Sequence, residues 1–180
     1  MTAPRLTDGV VTVRALSPSD VEPYVGAFRD DPELGNLLGY ERDADAAHVR
    51  HWLDAPWTEP PELRQREFAL ADAQTDTFLG TLMLHSCDWK NRRAETGFWV
   101  VPDARGRGVL TRGLQLVLDW AFDELELERM ELTALPENTA VPCIAARFGY
   151  RFEGTMRGRN FERGRRVDLL LWGLLRDERR

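Results

Sequence analysis

The stretch that decides the fold runs from residue 100 to residue 111: Val100-Val101-Pro102-Asp103-Ala104-Arg105-Gly106-Arg107-Gly108-Val109-Leu110-Thr111. Strand-forming residues precede its glycine-rich turn, and a helical apolar pattern over residues 110–122 follows it. The first N–H groups of a helix have no intrahelical partner, and the helix dipole adds partial positive charge there. Because glycine also lets a ligand approach the backbone closely, the stretch predicts a cradle for an anionic group such as a phosphate.

Two other phosphate-binding loops do not fit this turn. It lacks the Gly-Lys-Ser/Thr ending of a nucleoside-triphosphate loop. It also lacks the glycine spacing of a dinucleotide fold, and it comes late in the chain, after a predicted antiparallel meander. A surface turn that uses glycine for geometry and arginine for solubility stays open at this point.

Working outward from the turn, periodicity predicts seven strands and four helices. The strands cover residues 9–16, 67–71, 77–85, 95–101, 130–135, 150–156 and 167–174. The helices follow Ser17-Pro18 and cover residues 43–53, 110–122 and 138–148. This order predicts an α/β fold of the α+β type, with a central, mostly antiparallel sheet and helices on both faces. We expect residues 1–180 to form a single domain.

Composition and charge exclude several function classes. The chain has 180 residues, a hydrophobic fraction of 43% and a net charge of −6, and no apolar run is long enough for a membrane helix. We therefore expect no membrane partner and no nucleic acid. The two cysteines, Cys87 and Cys143, form neither a disulfide framework nor a zinc spacing, so we expect no metal and a cytoplasmic location.

The charge is unevenly distributed along the chain. Residues 17–62 contain eleven acidic residues against three arginines, whereas residues 151–180 contain nine arginines against five acidic residues. One interpretation is that an acidic half attracts a cationic substrate while a basic half holds an anionic cofactor. The other is codon bias in a GC-rich genome, because 23 of the 24 basic residues are arginine.

Five motifs follow one another along the chain: Ala94-Glu95-Thr96-Gly97-Phe98-Trp99-Val100, Arg105-x-x-Gly108, Asn138, Arg147-Phe148-Gly149-Tyr150 and Glu153-Gly154. In this order and spacing they resemble the GNAT acyl-CoA-dependent N-acyltransferases, and within them the RimJ/RimL-like branch. The resemblance covers residues 14–174. It implies a GNAT-like domain in which one pair of neighbouring strands splays apart, and an acyl donor that is acetyl-CoA.

The resemblance also implies which residues bind that cofactor. Backbone N–H groups of the glycine-rich turn would hold the pyrophosphate, although Leu110 stands where the family has glycine or alanine. The splayed strand would pair through its backbone with the pantetheine arm, and Asn138 would add a hydrogen bond beside its role as a helix cap. The expected set is Phe98, Trp99, Val100, Arg105, Gly106, Arg107, Gly108, Val109, Leu110, Thr111 and Asn138.

The catalytic groups are less completely matched. Glu95 is the candidate general base, acting through a water, with His85 and Asp88 as weaker candidates. Val141 and Ala145 stand at the two positions where family members carry a hydroxyl acid. Other residues have a structural and a functional interpretation: Asp168 in the last strands, Trp52, Trp57 and Trp89 as walls of an acceptor cleft, and Cys143, which we expect to be a small buried core residue.

Together these observations predict an acetyl-CoA-dependent N-acetyltransferase. The acceptor would be a primary amine on a protein N-terminus, a polyamine or another small cationic molecule, and it would attack directly in a ternary complex. The missing hydroxyls keep a second function open, a catalytically weak acyl-CoA-binding sensor or regulatory module. The resemblance is also compatible with a homodimer formed through the closing strands.

Overall fold

The structure is a computed structural model. It describes residues 3–31, 33–35, 46–54, 58, 63–162 and 164–179, apart from the side chains of His48, Trp52 and Asp54. The strands are β1 (Leu6–Thr7), β2 (Val11–Ala15), β3 (Arg66–Asp72), β4 (Phe78–Asp88), β5 (Arg93–Val100), β6 (Arg129–Ala134), β7 (Arg151–Glu162) and β8 (Arg165–Leu175). The α-helices are α1 (Val21–Asp30), α2 (Ala46–Asp54), α3 (Val109–Asp123) and α4 (Ala140–Phe148).

The strands form one eight-stranded sheet in the order β1-β2-β3-β4-β5-β6-β8-β7. Every neighbouring pair is antiparallel except β5 and β6, which are parallel. Their pairing covers only three positions, from Arg93 opposite Arg129 to Glu95 opposite Glu131. From Thr96 onward the two strands separate, so the predicted mixed sheet and its splayed strand pair are both confirmed.

Alternation along β5 directs its side chains to the two faces of the sheet. Ala94 and Val100 belong to the larger core, which includes the buried faces of α3 and α4. Trp99 belongs to a second core with α1 and α2, where its ring meets the rings of Tyr24 and Phe28 edge-on at centroid distances of 4.9 and 5.2 Å. The helices therefore cover both faces, as the sequence predicts.

A buried ion pair fixes the start of α1 against the sheet. Both Asp20 oxygens accept hydrogen bonds from the Arg14 guanidinium, at 2.7 and 3.0 Å, and Asp20 also accepts from the N–H of Ser17 at 2.7 Å. Asp20 is only 1% exposed. A buried carboxylate without these hydrogen bonds would strongly destabilise the folded state. They hold the acidic first helix on the Trp99 face.

The closing strands are longer than the sequence predicts. The predictions stop at residue 156 and resume at residue 167, because positions 157–166 are rich in arginine and glycine and lack apolar alternation. In the structure, β7 and β8 continue across this region as a hairpin. The Asp168 carboxylate accepts a hydrogen bond from the Gly158 N–H at 2.7 Å, where the register shifts, so Asp168 has a structural role.

The remaining differences are small. Strand β1 pairs with β2 over only two positions and is too short to be detected from periodicity. The helix predicted over residues 43–53 is described from Ala46 to Asp54. None of the helices in the described part of the chain is long and apolar enough to cross a membrane.

Candidate active site

A cavity of about 740 Å³ opens where β5 and β6 separate, and the first turns of α3 and α4 form part of its wall. Eleven of the twelve sequence-predicted site residues line it: Glu95, Phe98, Trp99, Val100, Arg105, Gly106, Gly108, Val109, Leu110, Thr111 and Asn138. These residues come from β5, the glycine-rich turn, the first turn of α3 and the cap of α4. The fold thus brings them into a single site.

The glycine-rich turn has the geometry that its sequence predicts. Gly106 and Gly108 have φ angles of 71° and 77°, in the left-handed region that favours glycine. The first intrahelical bond of α3 runs from the Arg112 N–H to the Gly108 oxygen at 3.0 Å, so the N–H groups of the first helical residues precede the helical ladder. A Cβ built on Gly106 or Gly108 meets no atom within 4 Å, which shows that the turn faces open space.

The two arginines of the turn make different contacts. Arg105 donates from Nε to the Val100 oxygen at 3.2 Å and pairs through Nη2 with Asp31. Its charge is therefore shared with a carboxylate, and its main contacts connect the turn to β5 and to the end of α1. Arg107 does not line the cavity and donates to the Asp103 oxygen at 3.4 Å, because the left-handed glycines on either side turn it outward.

The backbone of β5 faces the opening at alternate residues. Val101 donates its N–H to the Leu79 oxygen on β4 at 3.0 Å. Since backbone groups alternate along an antiparallel strand, the polar groups of Trp99 also face β4, whereas those of Phe98 and Val100 face the gap towards β6. Trp99 therefore lines the cavity without offering its backbone. Phe98 can pair with an extended ligand through its N–H and its oxygen, whereas Val100 can pair through its N–H, because its oxygen already accepts from Arg105.

Asn138 caps the first turn of α4, as expected. Its Oδ1 accepts hydrogen bonds from the N–H groups of Ala140 and Val141 at 3.1 and 3.4 Å. The side chain also lines the cavity. With Oδ1 committed to the helix, the amide Nδ2 is the group that can donate towards a ligand.

Glu95 lies at the point where the sheet opens. It is the last β5 residue that pairs with β6, and its side chain is 16% exposed. Oε1 accepts a hydrogen bond from the Thr133 hydroxyl, and the His85 Nε2 atom lies 4.0 Å from the same oxygen. The carboxylate is thus fixed in orientation yet in contact with the cavity, as a base acting through water requires.

Two other sequence candidates have structural roles. Asp88 accepts hydrogen bonds from the backbone and side chain of Asn91 at 3.0 and 2.7 Å, and these contacts lower its pKa. It therefore organises the turn after β4. Trp89 donates to the Leu63 oxygen at 2.6 Å and packs against the larger core rather than lining the cavity. Trp57 and the side chain of Trp52 lie outside the described residues.

Helix α4 corrects one prediction. Val141 and Ala145 are buried, at 6% and 1% exposure, and Val141 lines the cavity. Cys143, expected in the core, is exposed and lines the cavity as well. The reason is helical spacing: Val141, Ala145 and Phe148 form the buried face of α4, and Cys143 lies outside that face.

Sequence reasoning missed several polar residues that line the cavity. Thr96 follows Glu95 on β5, Thr133 is the hydrogen-bond donor to Glu95, and Asn160 and Glu162 lie near the end of β7. The Asn160 amide donates to the Glu162 carboxylate at 3.1 Å. The sequence predicts that the first closing strand ends at residue 156, so no local signal places these two side chains at the site.

Known proteins share this sequence and this architecture. The profile of the family described as "Acetyltransferase (GNAT) domain" matches residues 11–151. "Putative ribosomal N-acetyltransferase YdaF" of Bacillus subtilis is 29% identical over 171 residues, which cover 93% of this chain and 92% of that protein. Spermidine N(1)-acetyltransferase of Escherichia coli strain K12 is 25% identical over 134 residues, which cover 69% and 72% of the two chains.

A solved structure shows the same fold. RimL, a ribosomal L7/L12 alpha-N-protein acetyltransferase crystallised with coenzyme A, superimposes with a TM-score of 0.82 at 15% identity, covering 96% of this chain and 98% of that one. Members of the family use acetyl-CoA as acyl donor. The strand splay, the glycine-rich turn and the match over residues 11–151 agree, and the chain belongs to the GNAT family of acetyl-CoA-dependent N-acetyltransferases.

Proposed function

We propose that this protein transfers an acetyl group from acetyl-CoA to the primary amine of a cationic acceptor, by direct attack in a ternary complex. The observation that carries the proposal is the position of Glu95. It lies at the junction where β5 leaves β6, between the open backbone of β5 and the face covered by α1 and α2.

The residues at one end of the cavity fit the cofactor. The open space over Gly106 and Gly108, together with the N-terminus of α3, suits a pyrophosphate, because free N–H groups and the helix dipole both favour anions there. The backbone of Phe98 and the N–H of Val100 suit the amide groups of a pantetheine arm. Asn138 would donate to the same arm through its side-chain amide.

The chemistry needs few groups from the protein. When bound, acetyl-CoA supplies an acetyl group already activated as a thioester. The N–H groups of Phe98 and Val100 are placed to polarise a carbonyl oxygen in the gap. Glu95, oriented by Thr133, accepts through a water the proton that the attacking amine must lose.

Carboxylates and arginines both line the cavity. Glu95 and Glu162 are the carboxylates among its described lining residues, and Arg105 and Arg147 are the arginines. The acidic segment over residues 17–62 supplies α1 and α2, which cover the face of the sheet on which Glu95 lies. This charge favours an acceptor that arrives as a cation, such as a polyamine or a protein N-terminus. The names of YdaF and of the spermidine acetyltransferase are compatible with both classes.

A sensor or regulatory module remains the second candidate, because Val141 and Ala145 provide no hydroxyl acid. Turnover separates the two. We would measure release of free coenzyme A from acetyl-CoA with spermidine, with peptides that have a free N-terminus, and with the same peptides already N-acetylated. Turnover with a free amine and none with the acetylated peptides supports the enzyme. Binding of acetyl-CoA without turnover on any amine supports the sensor.

Binding of the cofactor is measured first, by thermal unfolding with acetyl-CoA, ATP or NAD. A ligand at about 100 times its dissociation constant stabilises the fold by about 2.7 kcal/mol, which is readily detected. Stabilisation by acetyl-CoA alone is the expected result. No shift with acetyl-CoA would remove the cofactor assignment and the transfer reaction with it.

A further inference from the structure

The cavity contains a carboxylate that the proposed reaction does not use. Glu162, near the end of β7, is partly buried and lines the cavity. Its Oε1 accepts a hydrogen bond from the Asn160 amide at 3.1 Å, and Asn160 lines the cavity as well. Within the described part of the chain Glu162 forms no ion pair, although Arg165 is opposite it in β8. The negative charge of Glu162 is therefore available to a ligand.

Strand pairing places Glu162 on the same face of the sheet as Glu95. Residues that are directly opposite in a sheet share a face, and so do alternate residues of one strand. From Glu95, the hydrogen bond to β6 and the pairing of β6, β8 and β7 lead along one face through Thr133, Leu171, Leu169, Val167 and Asn160. Glu162 is the next alternate residue of β7. Both carboxylates thus lie on the face of α1 and α2.

The arginine that lines the cavity from α4 belongs to the opposite face. The other alternate residues of β6 and β8 form the larger core with α3 and α4; they are Met130, Leu132, Ala134, Trp172 and Leu174. Arg147 lies on α4 and hence on this second face. Arg105, the other arginine of the cavity, already pairs with Asp31. The sheet therefore separates the charges, and the face with Glu95 and Glu162 is the one that suits a cation.

Apolar side chains line the cavity on the face that the two carboxylates share. Leu169 lies there between Thr133 and Asn160, and Leu34, after α1, belongs to the core on the same face. On β8, the positions opposite Thr133 and Asn160 are four residues apart, which is roughly 13 Å along a strand. A ligand that reaches both carboxylates therefore needs a positive charge at each end and an apolar chain of about this length between them.

We propose that Glu162 binds a second positive charge of the acceptor, and that the acceptor is a linear aliphatic diamine or polyamine. The inference rests on the proposed function. One terminal amine loses its proton through water to Glu95 and attacks the thioester; the N–C bond forms, and the C–S bond breaks with its electron pair on sulfur. The other amine keeps its proton and its charge at Glu162. Asn160 is a positioning residue, because it orients this carboxylate.

The test compares amines that differ in the second charge. The probes are 1,8-diaminooctane, octylamine, which lacks the second amine, and 1,4-diaminobutane, which is too short to reach both carboxylates. Steady-state kinetics with acetyl-CoA gives kcat/KM for each amine. We expect the value for 1,8-diaminooctane to exceed the other two at least about fivefold, because only this amine forms the second ion pair. High salt should reduce this preference, since it screens charges that are open to solvent.

Two variants with the same change in net charge separate a local contact from general attraction. Glu162→Gln should lower the preference for 1,8-diaminooctane over octylamine about fivefold, through the KM of the diamine rather than through kcat. Asn160→Ala should give a smaller change in the same direction. Glu162→Asp keeps the charge and should retain most of the preference. Glu137→Gln is the matched control, because Glu137 is exposed and does not line the cavity.

Three results would contradict this acceptor class. The first is that the unaltered protein does not prefer the longer diamine. The second is an equal preference in the unaltered protein, Glu162→Gln and Glu137→Gln. The third is turnover of peptides with a free N-terminus and of no diamine. Each would overturn the inference while the proposed function stands, whereas acetylation of no free amine at all would remove the proposed function itself.

Discussion

Arg105 donates a hydrogen bond from Nε to the carbonyl oxygen of Val100 at 3.2 Å, and so connects the glycine-rich turn to the end of the splayed strand. Its Nη2 pairs with Asp31 after α1. One guanidinium therefore holds together the turn, β5 and the end of the acidic helix. Because the side chain is about half exposed and its charge is already paired, we infer that Arg105 acts mainly as a clamp for the turn.

Two roles of Arg105, as a clamp for the turn or as a direct phosphate ligand, predict opposite effects of Asp31→Asn on coenzyme A affinity. If Arg105 is a clamp, both Arg105→Met and Asp31→Asn loosen the turn and weaken coenzyme A, by roughly fivefold for Arg105→Met. If Arg105 instead binds phosphate, Asp31→Asn releases its charge and should strengthen binding. Titration calorimetry at two salt concentrations measures both variants, and tighter binding by Asp31→Asn would refute the clamp.

Gly108 provides a matched test of the anion cradle. Asn and Asp both tolerate the left-handed region, so Gly108→Asn and Gly108→Asp place side chains of similar size at a φ of 77°. They differ in charge. The aspartate favours the N-terminus of α3 and should make this variant at least as stable, yet its charge should weaken coenzyme A at least about tenfold relative to Gly108→Asn. If Gly108→Asn and Gly108→Asp bind coenzyme A with equal affinity, the phosphates do not bind at this turn.

The parts of this site that the sequence predicts are the ones determined locally. The strand, the glycine turn and the helix start over residues 100–111 follow from neighbouring residues, and so does the Asn138 cap. The alternation of backbone N–H and C=O groups along β5 is also a local property. Which residues direct these groups into the gap, however, depends on the pairing of β5 with β4. The sequence alone therefore groups Trp99 with Phe98 and Val100, although the Trp99 backbone faces β4.

The missed features depend on contacts between distant parts of the chain. Glu95 meets Thr133 across the strand gap only when β5 and β6 are assembled side by side. The extension of β7, which brings Glu162 to the cavity, depends on pairing with β8 rather than on its own arginine-rich sequence. Periodicity describes one segment at a time and cannot show these contacts.

An ion network beside the splay predicts a pH-dependent contribution to stability. Hydrogen bonds from Arg129 lower the pKa of Glu153 below its usual value of about 4.5. The folded state thus favours the carboxylate, and this stabilisation is present above pH 4.5 and is lost as the pH falls through the lowered pKa. Because Glu153 is 37% exposed, Glu153→Gln should cost less than about 1 kcal/mol at pH 7.

Urea unfolding of Glu153→Gln and of the unaltered protein at pH 7, 5 and 3.5 measures this contribution. The difference between them should shrink at the lowest pH, where the unaltered carboxyl begins to take up its proton. A difference that stays constant over this range would mean that the carboxylate charge contributes nothing.

Glu95→Gln tests the general base. The amide keeps the size of the side chain and can still contact Thr133, but it cannot accept a proton. We expect kcat to fall by about 100-fold at neutral pH with coenzyme A affinity unchanged, and the loss to shrink at high pH, where the amine is already neutral.

Glu131→Gln is the matched control, because Glu131 is opposite Glu95 in β6 and is held by Arg93 and Arg129 outside the cavity. A pH–rate profile of Glu95→Gln parallel to that of the unaltered protein would exclude Glu95 as the base.

Cys143 makes occupancy of the cavity chemically measurable, and Cys87 is its internal control. Cys143 is exposed on the cavity wall, whereas Cys87 is buried, and burial raises the pKa of its thiol to about 11. Because the thiolate is the reactive form, iodoacetamide at pH 8 should label Cys143 and leave Cys87 unmodified in the folded protein.

Saturating coenzyme A should slow labelling of Cys143 at least about tenfold if the cofactor covers this wall, whereas NAD should have no effect. Peptide mass spectrometry measures both sites in one sample, and labelling of Cys143 at the same rate with and without coenzyme A would show that the cofactor leaves this wall uncovered.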